Sequence, residues 1–166
     1  MMGWRFKGAN QLQNDTLDIV KRMLSNGKAG LMDINIVQPM KAMQASAYLE
    51  ELNDYSLLLF EGVPLQNQKL DDVKSLILAE IEKLGRGEFS DDLLPAVLAN
   101  KKLQYYKSLD NNANRASLMG DAFINNKPWA DVVGQIARQE KLTKQDIIDF
   151  ARRNLRTDNY ACVYKE

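Results

Sequence analysis

A chain of 166 residues with 45% hydrophobic residues can build the core of one globular domain, and 22 Lys+Arg against 22 Asp+Glu leave no net charge to concentrate nucleic acid or an anionic membrane. There is no histidine and a single cysteine, Cys162. This excludes a Ser-His-Asp or Cys-His pair and an intramolecular disulfide, and leaves a zinc site only carboxylates to work with. The longest apolar runs, such as "YSLLLF" at 55–60, are far shorter than the ~20 residues a membrane-crossing helix needs. The start, "MMGWRFKG", has no signal-peptide pattern, so the compartment is not legible from it.

In chain order, "WRFKG" at 4–8 alternates Trp4 and Phe6 with Arg5 and Lys7, the pattern of a half-buried strand ended by Gly8. "NDTLDIVKRMLSNG" predicts a helix with Asn14 or Asp15 as N-cap, Leu17, Val20, Met23 and Leu24 on one face, and Gly27 as its stop. Leu31 to Val37 reads as one or two helical turns closed by Pro39. Period-two alternation over Met43 to Leu49 and Tyr55 to Val63, with "EELND" between, predicts an antiparallel hairpin. Leu70, Val73, Ile77, Ile81 and Leu84 recur at helical spacing, with Asp71 and Asp72 in the first turn and Gly85 and Gly87 past the end. A long amphipathic helix follows to about Leu109, with Ser90 or Asp91 as cap and Pro95 near its first turn. The Asp-Asn cluster from Asp110 opens another helix, weakened by Gly120, and a short one spans Trp129 to Arg138. Thr143 and Asp146 have capping-box spacing, with Ile147, Phe150 and Ala151 facing inward, and "NYACVYK" is a closing strand. The order predicts one α+β domain over 1–166, its antiparallel or mixed sheet covered on one face by helices. The terminal strands must join the hairpin's sheet, because lone strands leave backbone groups unpaired.

The possible chemical sites are few. The glycines of "NGKAG" offer two readings, an anion cradle of open N–H groups or a helix stop at positive φ. The second is preferred, because the phosphate-loop spacing is incomplete and Gly27 follows a helix rather than a strand. Asp91 and Asp92 are adjacent, so on a helix their carboxylates point about 100° apart and suit the helix dipole better than a shared task. Tyr105 and Tyr106 among Lys101, Lys102 and Lys107 read as a solvated helix face rather than a base-stacking platform. Arg138, Arg152, Arg153 and Arg156 read as surface charge, with a partner interface second, and Cys162 as a small buried thiol in a strand. No convergent set of Lys, Asp or Tyr for a self-sufficient enzyme can be named.

Several segments together resemble the insulinase- and pitrilysin-type zinc metallopeptidases, whose motif is H-x-x-E-H. They are the strand "WRFKG", the helix "NDTLDIVKRML" with its glycine loop, "YSLLLFEGVP" at 55–64, the helix and turn from Val73 to Leu94, and the helix-strand ending at 143–164. The likeness lies in their order and spacing, over nearly the whole chain. In that family homologous α+β repeats are joined in one polypeptide and only one repeat carries zinc. The resemblance implies the repeat that follows the zinc-bearing one, as a piece of a longer chain. Its first helix, "LDIVKRML", would stand where the zinc motif stands, with neither histidine nor the motif's glutamate. The family's substrate-touching Arg-Tyr pair is also missing, since no Arg occurs between Arg22 and Arg86. The implied expectations are a non-catalytic repeat with no catalytic, metal or cofactor residues of its own and zinc in the parent or partner repeat. Its partners would be the zinc-bearing repeat and a peptide substrate, in the bacterial periplasm or cell envelope. A domain taken from such partners should bare an apolar face able to self-associate. The alternative is an assembly scaffold of the same fold with no proteolytic role, as in the core proteins of a respiratory complex.

Overall fold

The computed structural model describes residues 1–165. Four strands, β1 (Met2–Lys7), β2 (Gln44–Glu51), β3 (Tyr55–Val63) and β4 (Ala161–Cys162), form one antiparallel sheet in the order β2-β3-β1-β4. Alternation makes its two faces. Met2, Trp4 and Phe6 of β1 lie on the same face as Ser56, Leu58 and Phe60 of β3 and Ala45 and Ala47 of β2, all buried. Arg5, Lys7, Ser46, Tyr48, Leu57 and Leu59 alternate with them on the open face.

The buried face is covered by α1 (Gln13–Leu24), α2 (Leu70–Arg86) and α6 (Lys144–Asn154), with α3 (Leu93–Leu109), α4 (Asn112–Ile124) and α5 (Trp129–Gln139) extending to one side. Trp4 anchors the centre. It is 1% exposed, packs edge-on to Phe60 at 5.3 Å and stacks on Tyr160 at 4.7 Å. Its indole Nε1 donates to the Arg156 carbonyl at 3.0 Å, so the burial strands no donor. Burying such side chains contributes about 1.5–3 kcal/mol each. Residues Asp33–Val37 form the expected short helical segment, wound as a π-helical turn in which the Gln38 N–H reaches the Asp33 carbonyl at 2.9 Å.

The capping box at Thr143 is present, the Thr143 hydroxyl accepting from the Asp146 N–H at 3.2 Å while Asp146 accepts from the Thr143 N–H at 2.8 Å. Asn111 caps α4 through bonds from the N–H groups of Ala113 and Asn114. Other boundaries differ from the sequence reading. Asn14 and Asp15 do not cap α1, which begins at Gln13 without a side-chain cap. Both are buried in its first turn, where tertiary partners claim them: the Asn14 amide donates to Gly8 and Ser56, and Arg138 takes the Asp15 carboxylate. Ser90 and Asp91 precede α3: the Ser90 hydroxyl accepts from the Asp92 N–H at 3.3 Å in the turn that leads into the helix, while Asp91 does not cap and pairs with Lys144 at 2.6 Å. Gly85 lies within α2, where its carbonyl accepts from Arg152 Nε at 2.6 Å, and left-handed Gly87 (φ 75°) provides the stop. The hairpin turn is shorter than expected, since β2 runs through Glu51. The amphipathic expectation for α3 holds only at its start, where Leu94 and Val97 are buried.

Candidate functional site

Helix α1 buries Leu17, Val20, Met23 and Leu24 against the sheet, which turns Asp18, Lys21 and Arg22 toward α3 and α5. These three have the i, i+3, i+4 spacing of H-x-x-E-H, at the helix where the resemblance puts that motif. The Asp18 carboxylate accepts from Arg22 Nε at 2.9 Å, Lys101 Nζ of α3 at 2.8 Å and Gln139 Nε2 of α5 at 3.1 Å. Burial alone would raise its pKa, but Lys101 and Arg22 outweigh burial and hold it below the ordinary aspartate value. Beside it, Asp15 accepts from Arg138 Nε at 2.6 Å and Gln135 Nε2 at 3.0 Å, tying α1 to α5.

The cluster forms one wall of a cleft of about 420 Å³, closed by Tyr48 and Glu51 of β2, Asp121 of α4 and Lys127. Burial, then the neighbouring charge of Arg22, lowers the pKa of Lys21. A zinc ion does not suit this donor set. Of the two positions that match the motif's histidines, Asp18 is engaged by three donors and Arg22 presents a cation, while Lys21 stands at the glutamate position. Among the described residues no three His, Cys, Asp or Glu side chains group so as to hold a metal.

The glycine loop answers its own question. The N–H groups of Asn26, Lys28 and Gly30 all converge on Asp33 Oδ2, at 2.9, 3.1 and 2.9 Å, and Ser25 Oγ donates to Oδ1 at 3.3 Å. The anion in this nest is the protein's own carboxylate, so the loop has no open N–H cradle for phosphate. Gly27 has a positive φ, 79°, but it is not the stop of α1, which ends at Leu24 with extended Ser25 (φ −150°) as its C-cap, and Gly27 turns the loop two residues further on.

The other candidates are dispersed. Lys101 and Lys102 are taken up in ion pairs, with Asp18 and Glu140 respectively. Arg138 is an interhelical tie rather than surface charge, because Asp15 and Asp131 hold it. Arg152 serves the Gly85 carbonyl, Arg153 that of Asp149, and Arg156 pairs with Asp158. Cys162 is half-buried beside Met2 in the β1–β4 pair. The roles of Asp15, Asp18 and Asp33 went unread in the sequence. Only the Asp18/Arg22 spacing signalled a pair, since the remaining partners arrive from distant elements.

No family model matches the chain. It is 25% identical over 152 residues to the zinc protease PqqE of Helicobacter pylori, covering 91% of this chain and 33% of that protein. The solved structure of a protease from Helicobacter pylori superposes with a TM-score of 0.90 at 22% identity, covering 96% of this chain and 38% of the other. The inactive peptidase domain of a Bordetella parapertussis protein superposes with a TM-score of 0.79 at 14% identity, covering 96% and 88%. The chain therefore spans about a third of the length of the curated relative it matches. Among the described residues no helix is long and apolar enough to cross a membrane. The chain shares its α+β fold with these peptidase structures, and over most of its length it is similar in sequence to part of a zinc protease.

Proposed function

We propose that this chain is a non-catalytic repeat of a zinc metallopeptidase, which packs against a zinc-bearing repeat and helps wall a chamber for extended or unfolded peptide. The observation that carries the reading is the ion-pair cluster at the first helix, where Asp18 and Arg22, at the spacing of the motif's two histidines, pair with each other and Asp18 also pairs with Lys101 of α3. Its support from the relatives is the sequence similarity to a zinc protease about three times as long and the likeness to a domain described as an inactive peptidase. Helix α4 supports the packing role. Only Ala122 of its thirteen residues is buried, while Met119, Phe123 and Ile124 are 56%, 85% and 69% exposed. Apolar side chains bared in this way suit a surface that a neighbouring repeat covers. The zinc belongs to that neighbour, and the compartment that goes with the resemblance is the bacterial periplasm or cell envelope.

The test is peptide cleavage by this chain alone, by a zinc-bearing H-x-x-E-H repeat of the same protein or of a neighbouring gene, and by the two mixed, with a chelator control. Activity confined to the mixture and abolished by chelation is expected. Stoichiometric zinc binding and cleavage by this chain alone would refute the reading. Tight association without cleavage would transfer the weight to an assembly scaffold of the same fold.

A further inference from the structure

A second groove lies on the other side of Lys21, between the glycine loop and the first turns of α3, with a volume of about 410 Å³. Its charged lining is Lys21, Arg22 and Lys28, with no carboxylate among the lining residues. The cleft on the Asp18 side differs, since Asp18, Glu51 and Asp121 answer its cations. Arg22 is bound to Asp18 through Nε and to Gln104 through Nη1 at 3.3 Å, but among the described residues neither Lys21 nor Lys28 has an ion pair. The nearby acids do not supply one. Asp18 is held by Arg22, Lys101 and Gln139, and Asp33 is enclosed by Ser25 and three loop N–H groups.

Lys21 is half-buried, and burial followed by the charge of Arg22 lowers its pKa. A carboxylate brought to such a cation gains more than at an open surface, because water screens the pair less. Below the cations, Leu93 and Val97 make an apolar floor, and the side-chain amides of Asn100 and Gln104 line the α3 wall. Cations, amide groups and an apolar shelf within a few residues' length fit a peptide better than a bare inorganic anion.

We infer that this groove binds an acidic stretch of extended peptide, its carboxylate against Lys21 and Lys28 and a neighbouring apolar side chain on Leu93 and Val97. The inference rests on the proposed function in taking peptide as the ligand, and it adds the ligand's charge and the residues that read it.

The test is calorimetric titration of the intact chain at low ionic strength with a short peptide of Gly, Ser, Leu and Glu, its counterpart with every Glu replaced by Gln, and inorganic phosphate. The Glu peptide is expected to bind about tenfold more tightly than the Gln peptide. Lys28→Gln and the double variant Lys21→Gln/Lys28→Gln should progressively erase that preference with unchanged circular dichroism, while Lys141→Gln, outside the groove, should keep it. Equal binding of the two peptides, binding of neither, or an equal loss with Lys141→Gln overturns the inference. Phosphate that displaces the peptide at equal concentration overturns the assignment to peptide. No zinc-bearing partner enters the titration, so this inference and the proposed function fail separately.

Discussion

Replacing Asp33 by alanine tests the self-filled nest directly. The substitution removes the acceptor of three N–H groups and of the Ser25 hydroxyl in one step. Of those donors, the Gly30 N–H is in a buried residue, whereas Asn26 and Lys28 are exposed and can be rehydrated; Ser25 is buried too, but its 3.3 Å contact is long for an O–H···O bond and its loss adds little. A buried donor left without a partner costs about 2 kcal/mol and each rehydrated one about 0.5 kcal/mol, so Asp33→Ala should cost about 3 kcal/mol. In a domain of this size that lowers the Tm by roughly 6–12 °C. Asp33→Asn keeps one acceptor oxygen in place and should lose only about 1 kcal/mol. Urea unfolding of the three proteins under one buffer condition measures both differences. A loss below about 1 kcal/mol for alanine, or equal losses for alanine and asparagine, would refute the claim that convergence on one carboxylate holds the loop.

Asp18→Asn should destabilise the chain by about 2 kcal/mol at neutral pH, because it leaves Arg22 and Lys101 close together without their shared anion. The folded-state pKa of Asp18 is depressed, so its contribution is fully present above the unfolded value of about 3.9 and is lost as pH falls through the lower folded value. Urea midpoints of wild type and variant should therefore differ by a constant amount above about pH 5 and converge in stronger acid, and a gap unchanged down to about pH 2 would contradict the ion-pair account. Gly8→Ala should cost about 3 kcal/mol, since an added Cβ would collide with the Asn53 carbonyl oxygen, and thermal melting within 2 °C of wild type would show that the hairpin turn yields easily.

Periodicity carried the element order because the core is built from it. Trp4 and Phe6, the Leu70-to-Leu84 repeat and the Thr143 box each encode their own local geometry. Legibility stopped wherever a polar residue has a partner far along the chain. Asn14 looks like an N-cap because its type favours caps, yet it lies inside the first turn, where its Nδ2 donates to Gly8 and Ser56 and its Oδ1, the atom a cap would use, has no partner among the described residues. Arg138 looks like surface charge because arginine on a helix usually is, yet Asp15, 123 residues away, folds onto it. The absence of histidine was plain in the sequence, whereas the ion-pair cluster at the first helix was not. Only the fold brings Lys101 and Gln139 to Asp18.

The strand order has a consequence for how the molecule forms. β1 is the first element of the chain, yet it lies between β3 and β4, pairing Trp4 with Leu58 and Met2 with Cys162. As the chain leaves the ribosome, the β2–β3 hairpin can close locally, while β1 waits with Trp4 exposed until β3 has appeared and keeps an open edge until β4 arrives. Of the four strands the earliest made is thus the last to be fully paired, and the interval between is when the sheet is most exposed to pairing with another chain.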